Sequence, residues 1–168
     1  MLNKNKFIDF LILLLLGILI GFNVFMTFIL TPKVFSHFDH RLAGEITNLL
    51  FPTYFASGWI IGIVIYTFIA IQSIKDKFIV KKLKGFIIGL TLVILLYMAE
   101  HKTLLPIGQQ LNNQYYALLD EGKKQEAQLL KEKFKKVHMI SSSINLINLL
   151  ILIYLFYSYL SKREEEKS

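Results

Sequence analysis

The stretch FIDFLILLLLGILIGFNVFMTFIL (residues 7–30) decides the fold class of this chain. A helix needs about 20 apolar residues to cross a hydrocarbon layer of about 30 Å, and this stretch is long enough, with a single charged side chain, Asp9. Three further apolar stretches follow at 46–72, 85–105 and 137–160. The sequence therefore predicts an all-α fold, an integral membrane bundle of four transmembrane helices.

Composition supports one membrane domain over residues 1–168. The chain is 54% hydrophobic and 14% aromatic, with a mean hydropathy of +0.51, which is too apolar for an average soluble domain. It has no cysteine, so disulfides, thiolate nucleophiles and cysteine-bound metals are excluded. Its net charge of +7 comes largely from lysines beside the spans. We therefore expect anionic lipid headgroups rather than nucleic acid as the charged partner.

The first apolar run follows Lys4 and Lys6, as a secretory signal would. It is longer than a signal core and lacks an Ala-x-Ala site, so we expect a retained span. Lysine and arginine are nearly balanced between the two sides, but the short second loop carries five lysines between Lys75 and Lys84. The positive-inside rule then favours a bacterial plasma membrane protein with both termini in the cytoplasm.

Residues 107–136 form a predicted helical hairpin. Two apolar stripes at helical spacing flank the break Asp120-Glu121-Gly122; they are Leu111, Tyr115, Leu118 and Leu119, then Ala127, Leu130, Phe134 and Val137. The third and fourth helices are thus expected to continue beyond the bilayer as an antiparallel hairpin. It could be a solvated stalk or an arm that binds a protein partner or headgroups.

Helix packing is indicated by three G-x-x-x-G pairs, which let helix backbones approach closely in lipid. The pairs are Gly17/Gly21, Gly58/Gly62 and Gly85/Gly89. Internal packing is the favoured interpretation, and homo-oligomer contacts are the alternative.

Polar residues near the start of the second helix are candidate site residues. Ser36-x-x-Asp39 has the capping-box pattern, which predicts a helix from about His37 and places His37 and His40 on one face. Arg41 and Glu45, four residues apart, can pair. Pro52 cannot donate a backbone hydrogen bond, so the carbonyl of residue 48 is free for a polar contact.

The third and fourth helices add further candidates. Glu100 and His101 come about 22 Å after Gly85 at 1.5 Å per residue, which is short of the far membrane boundary. A carboxylate there is a functional candidate; alternatively, the helix is shifted outward and these groups lie among headgroups. His138, Ser142 and Asn145 occupy one face of the fourth helix. That face is expected to point into the bundle, as hydrogen-bonding contacts or as part of a ligand site.

Drawn as membrane helices, the sequence gathers these groups at one depth. The expected ring is His37, His40, Glu45, Glu100, His101 and His138. Imidazole and carboxylate suit zinc, copper, iron or haem, and His40, His101 and His138 are the candidate metal ligands. Interfacial histidines are more often solvated or hydrogen-bonded. Known catalytic motifs are absent from the sequence, so we expect no enzyme; a general base at Glu100 or His138 is the alternative.

Two segments carry a family resemblance. TPKVFSHFDHRLAGEITNLLFPTYFASGW (residues 31–59) and KKVHMISSSINLINLL (residues 135–150) resemble the transmembrane-protein-205-like family, domain of unknown function 4149, of bacteria and eukaryotes. The resemblance implies a small multi-pass membrane protein without an established activity. A fainter similarity, in helix count and interfacial histidines, is to copper-resistance-protein-D-like domains, some relatives of which hold haem. The paired mid-membrane histidines that would ligate haem are not visible in this sequence.

Three functions follow as hypotheses. The first is a non-enzymatic membrane protein that binds a small polar ligand, a metal ion or a protein partner at the histidine-bearing face. The second is a haem- or copper-binding redox or export component. The third is a small-solute transporter subunit, which would need a homo-oligomer because four helices enclose little room.

Overall fold

A computed structural model describes residues 4–75 and 77–165, which are almost entirely helical and contain no β-strand. The elements are α1 (Lys4–Val24), a π-helical segment (Phe25–Leu30), α2 (Thr31–His37), α3 (His40–Lys75), α4 (Ile79–Lys82), α5 (Lys84–Ala99), a second π-helical segment (Glu100–Leu104), α6 (Leu105–Asp120) and α7 (Lys124–Glu165). Each π-helical segment joins the helices on either side of it without a break.

Four continuous helices are long and apolar enough to cross a membrane. They are Lys6–His37, His40–Ile74, Lys84–Asp120 and Lys124–Ser161. Large apolar side chains point outward from them; Leu49 is 77% exposed and Ile74 is 80% exposed. Such a surface is stable against lipid rather than water. The prediction of a four-helix, multi-pass membrane protein is confirmed.

The helices form a closed bundle in which α1 packs against α3, α3 against α5, α5 against α7, and α7 against α1. Fully buried apolar side chains from all four helices fill the centre; examples are Ile12, Ile65, Leu90 and Leu152. At the end that holds the chain termini, Gln72 and Tyr159 both donate hydrogen bonds to Asp9, at 2.6 and 2.8 Å. This end of the bundle is therefore tied together across α1, α3 and α7.

The three glycine pairs differ in how closely a neighbouring helix approaches them. A Cβ atom on Gly58 would lie 2.5 Å from the Tyr97 ring, and one on Gly62 would lie 2.5 Å from Ile94, so α3 and α5 meet at these glycines. Gly89 similarly allows α7 to approach. Gly17 has only an ordinary contact, and Gly21 and Gly85 have open space. Close internal packing is therefore present at the middle pair and at Gly89, and among the described residues the structure shows no close helix approach at Gly17, Gly21 or Gly85.

The hairpin turn has the predicted position. Gly122 adopts a positive φ of 76°, and the N–H groups of Gly122 and Lys123 donate to the carbonyls of Leu119 and Leu118 at 3.0 and 2.9 Å. This is a Schellman motif, which ends a helix at a glycine. Beyond the turn, α6 packs along the first half of α7 with Ala127 fully buried.

The start of α3 corrects the predicted capping. Asp39, not Ser36, caps this helix: its Oδ1 accepts from the N–H groups of Arg41 and Leu42 at 3.0 and 3.1 Å. Ser36 instead donates to the carbonyl of Lys33 at 2.9 Å. Because Phe38 is extended, α2 ends at residue 37 and α3 begins at residue 40. The two histidines at these positions lie on different helices, so their predicted shared face is wrong.

The hairpin is not a free-standing stalk. The Arg41 guanidinium makes two hydrogen bonds of 3.1 Å to the Asp120 carboxylate, which joins the start of α3 to the end of α6. A helix of 37 residues, such as Lys84–Asp120, is about 55 Å long, compared with a hydrocarbon layer of about 30 Å. The first two long helices, of 32 and 35 residues, are also longer than the hydrocarbon layer requires, and they extend beside the hairpin. We call this end of the bundle the hairpin end.

Candidate functional site

A cleft of about 640 Å³ opens at the hairpin end of the bundle. One wall is formed by α2 and the first half of α3, and the other by α6 and the first half of α7. Within residues 4–75 and 77–165, no Cα atom of α2 lies within 8 Å of α6 or α7. The cleft is therefore open on its side, between α2 and α7. Its volume is in the range of about 300–1,000 Å³ that is typical of ligand sites.

Apolar and aromatic side chains contribute most of the lining surface. They include Met26, Phe35, Phe51, Phe55, Leu104, Leu105, Tyr115, Tyr116, Phe134 and Val137. Aromatic walls of this kind surround the apolar part of a ligand and exclude water from it.

A polar network closes the floor of the cleft around Asn145. The hydroxyl of Tyr54 donates to Asn145 Oδ1 at 2.6 Å, and Asn145 Nδ2 donates to Thr27 Oγ1 at 2.7 Å. The amide of Asn23, which is fully buried, also donates to Asn145 Oδ1 at 3.0 Å. These bonds join the first long helix, α3 and α7 below the apolar walls. The predicted inward position of Asn145 agrees with this geometry.

Glu100 lies behind the cleft wall and is fully buried. Its Oε2 accepts a hydrogen bond from Ser141 Oγ at 2.6 Å, and Ser141 lines the cleft. Its Oε1 has no hydrogen-bond partner among the described residues. This carboxylate is therefore enclosed by helices.

His101 faces away from the cleft. Its Nδ1 accepts a hydrogen bond of 3.2 Å from Trp59 Nε1, and the two rings stack. Because an indole N–H can only donate, Nδ1 of a neutral imidazole here is the unprotonated nitrogen. His101 thus packs against Trp59 and is not part of the cleft lining.

His40 and His138 line the cleft, and both are exposed. The His138 ring stacks on Phe134 with centroids 5.9 Å apart, and the His40 ring lies 5.8 Å from that of Phe35. His37 lies outside the cleft lining, and its Nδ1 is 2.9 Å from the carbonyl oxygen of Lys33.

The structure does not form the expected ring at one depth. Arg41 lies level with Asp120, and Glu100 is on the same continuous helix as Asp120, about 30 Å away at 1.5 Å per residue. The start of α3 therefore lies beside the far end of the third long helix and not beside Glu100, which separates these groups in height.

The candidate metal ligands are accordingly not brought together. In the part of the chain that the structure describes, no three His, Asp or Glu side chains are placed to hold a metal ion. His101 is bonded to Trp59, while the other two proposed ligands, His40 and His138, face the cleft. The cleft instead unites His40 and His138 with Ser142 and Asn145.

Two predicted contacts of α3 are present. The carbonyl of Asn48, left free by Pro52, accepts a hydrogen bond from Gln109 Nε2 at 3.2 Å, and both partners line the cleft. Arg41 lies 3.9 Å from Glu45, a weak contact beside its paired bonds to Asp120. Neither Arg41 nor Glu45 lines the cleft.

Each π-helical segment precedes a proline. The N–H groups of Thr31 and Leu105 bond to carbonyls five residues earlier, and Pro32 and Pro106 follow directly. Proline cannot donate and its ring clashes with the carbonyl four residues before it, so a wider turn relieves that contact. One of these segments contains Thr27 of the floor, and the other contains Glu100.

Several site residues were missed by the sequence analysis; they are Asn23, Thr27, Tyr54 and Gln109. Asn23 carried a usable signal, because a carboxamide inside an apolar run is costly in lipid and is a functional candidate by default. The other three have no distinguishing spacing along the chain.

Comparison with known families matches residues 14–117 to a domain of unknown function, DUF4149. The match covers more than half of the chain, which therefore belongs to this family. The matched range includes α2, α3 and most of α6, but not α7. No curated protein and no solved structure matches the chain. The family expected from the sequence is confirmed by its domain description, and its link to transmembrane protein 205 stays a prediction.

Proposed function

We propose that this member of the DUF4149 family is a non-enzymatic membrane protein that binds an apolar or amphiphilic ligand in the interhelical cleft. The observation that carries the proposal is the cleft of about 640 Å³, with aromatic walls and a floor of hydrogen-bonded side chains around Asn145. Large apolar area with a few placed polar groups is the usual composition of a binding site.

The polar network favours binding over chemistry. Tyr54 and Thr27 are both bonded to the Asn145 side chain, so these three residues fix the shape of the floor. A fixed floor lets the apolar walls select a ligand by its shape. No contact within the described residues favours haem, copper or transport over this proposal.

We also propose that the termini face the cytoplasm of a bacterial plasma membrane. The loop between α3 and α5 supports this orientation, because Lys77, Lys81 and Lys84 are all exposed there and short basic loops remain on the cytoplasmic side. The hairpin end, with the cleft, would then lie at the opposite face.

Site-specific cysteines test ligand binding, since the natural chain has none. Ser142→Cys places a thiol in the cleft lining, and Ser143→Cys places one on the adjacent exposed position outside it. The reaction rate with N-ethylmaleimide is measured in detergent micelles with increasing 1-dodecanol. We expect dodecanol to slow the reaction of S142C several-fold and saturably, and to leave S143C unchanged.

Equal rates in the presence and absence of dodecanol for S142C would contradict ligand binding in the cleft. Equal slowing of both variants would also contradict it, because dodecanol would then act through the micelle rather than through a site. Circular dichroism of both variants checks that the helices remain folded.

A further inference from the structure

We propose that the occupant of the cleft is an anionic phospholipid, with an acyl chain along the aromatic walls and its phosphate beside Lys131. This inference rests on the proposed function, since it names the ligand class of the same cleft. It follows from the charge of the lining, the side opening and the height of the cleft.

The charge of the lining favours an anion. The basic residues of the lining are His40, Lys131 and His138. Within the described part of the chain, no Asp or Glu lines the cleft. Outside the lining, Asp120 is bonded twice to Arg41, and Glu45 lies 3.9 Å from the same guanidinium. Among the described residues, the lining thus combines a lysine cation, and no carboxylate, with apolar walls, which suits an anionic headgroup attached to a chain.

Lys131 is placed to meet such a headgroup. Its ammonium lies 6.0 Å from the centre of the Tyr115 ring, and the residue lines the cleft while remaining exposed. Long basic side chains commonly cover apolar surface in this way and keep their charge at the membrane surface.

The side opening allows a lipid to enter without leaving the bilayer. The backbone of α2 contacts only α3 and the adjoining π-helical segment within the described residues. An acyl chain can thus pass between α2 and α7 directly from the surrounding lipid. A water-soluble anion would gain nothing from this route or from the aromatic walls.

The height of the cleft matches one lipid leaflet. Lys131 and Asn145 both lie on α7 and both line the cleft, and they are about 21 Å apart at 1.5 Å per residue. One leaflet with its headgroup region is about 20–22 Å thick, half of a bilayer of about 40–45 Å. A chain that extends from a phosphate at the mouth therefore reaches towards the polar floor.

The experiment measures lipid binding to the delipidated full-length protein by native mass spectrometry. Dioleoyl phosphatidylglycerol and dioleoyl phosphatidylcholine are compared because their acyl chains are identical and their net charges differ. Lys131→Gln removes the cleft cation. Lys133→Gln is the matched control, since Lys133 is exposed on the same helix but outside the lining.

We expect the wild-type protein to bind phosphatidylglycerol several-fold more tightly than phosphatidylcholine. We expect K131Q to lose most of this preference and K133Q to keep it. Equal loss in both variants would overturn the inference, because the preference would then reflect general surface charge. Tighter binding of free oleate than of phosphatidylglycerol would overturn it in favour of a fatty acid.

The two proposals fail in different ways. If S142C is protected by dodecanol while the two phospholipids bind equally, the cleft is a ligand site and the headgroup inference is wrong. If dodecanol gives no protection and neither phospholipid binds, both proposals are wrong.

Discussion

At the scale of single residues, the floor of the cleft depends on a few side chains whose partners are far away along the chain. Asn145 bonds to Tyr54, 91 residues earlier, and to Thr27, 118 residues earlier. The sequence predicted that Asn145 faces the bundle because a lone amide is costly in lipid. It could not name these partners, because no repeating spacing connects them.

Gly58 gives the sharpest prediction for one residue. Gly58→Ala would put a methyl group where the Tyr97 ring lies 2.5 Å away, whereas Gly21→Ala would enter open space. Overpacking of a filled core costs about 1–3 kcal/mol, so we expect G58A to lower the thermal unfolding midpoint in micelles by several degrees. G21A should leave the midpoint nearly unchanged. Equal shifts for the two variants would contradict the close packing of α3 against α5.

At the scale of helices, the apolar runs predicted the spans but not their ends. Ser36 and Asp39 are both acceptable N-cap residues, and only the bonds that Asp39 makes to Arg41 and Leu42 show which one caps α3. The π-helical segments before Pro32 and Pro106 were also not predicted, because a proline alone indicates a disturbed helix and not the form that it takes.

The contact of Arg41 with Asp120 gives a prediction for α6. We expect Arg41→Gln to leave the global free energy of unfolding nearly unchanged, because the pair is half exposed and screened by solvent. The last turn of α6 should nevertheless exchange its amide hydrogens faster, measured by hydrogen–deuterium exchange on peptides that cover residues 112–122. Arg41→Lys keeps the charge without the paired geometry, so it should fall between wild type and R41Q. Unchanged exchange in R41Q would show that the hairpin is held by other contacts.

At the scale of the whole molecule, packing divides the bundle into two halves. The half near the termini is held by close contacts at Gly58, Gly62 and Gly89 and by the bonds to Asp9. At the hairpin end α3 stays joined to α6, but α2 packs on α3 and has no described neighbour in α6 or α7. The cleft lies where α2 stands apart from α6 and α7. The same bundle thus has a closely packed half and a half with an open site.

The sequence predicted the helix count, the hairpin and the domain family, all of which depend on local patterns. It did not predict the cleft, since the lining comes from all four long helices at irregular spacing. The expected ring at one depth was wrong for a related reason. It placed the start of α3 level with Glu100, whereas Arg41 near that start pairs with Asp120, 20 residues further along the third long helix.

The cleft depends on the hairpin, which packs beside α3 and thereby encloses it. A Cβ atom on Gly44 would lie 3.4 Å from Asn112 Nδ2, so these two positions on α3 and α6 can be linked directly. Gly44→Cys is combined with Asn112→Cys or, as the control, with Asn113→Cys on the exposed side of α6. Intramolecular disulfide formation under mild oxidation is then measured by mass spectrometry in membranes. We predict a rapid cross-link for the G44C and N112C pair and little cross-linking for the control pair. No cross-link, or equal cross-linking of both pairs, would contradict the packing of α6 beside α3.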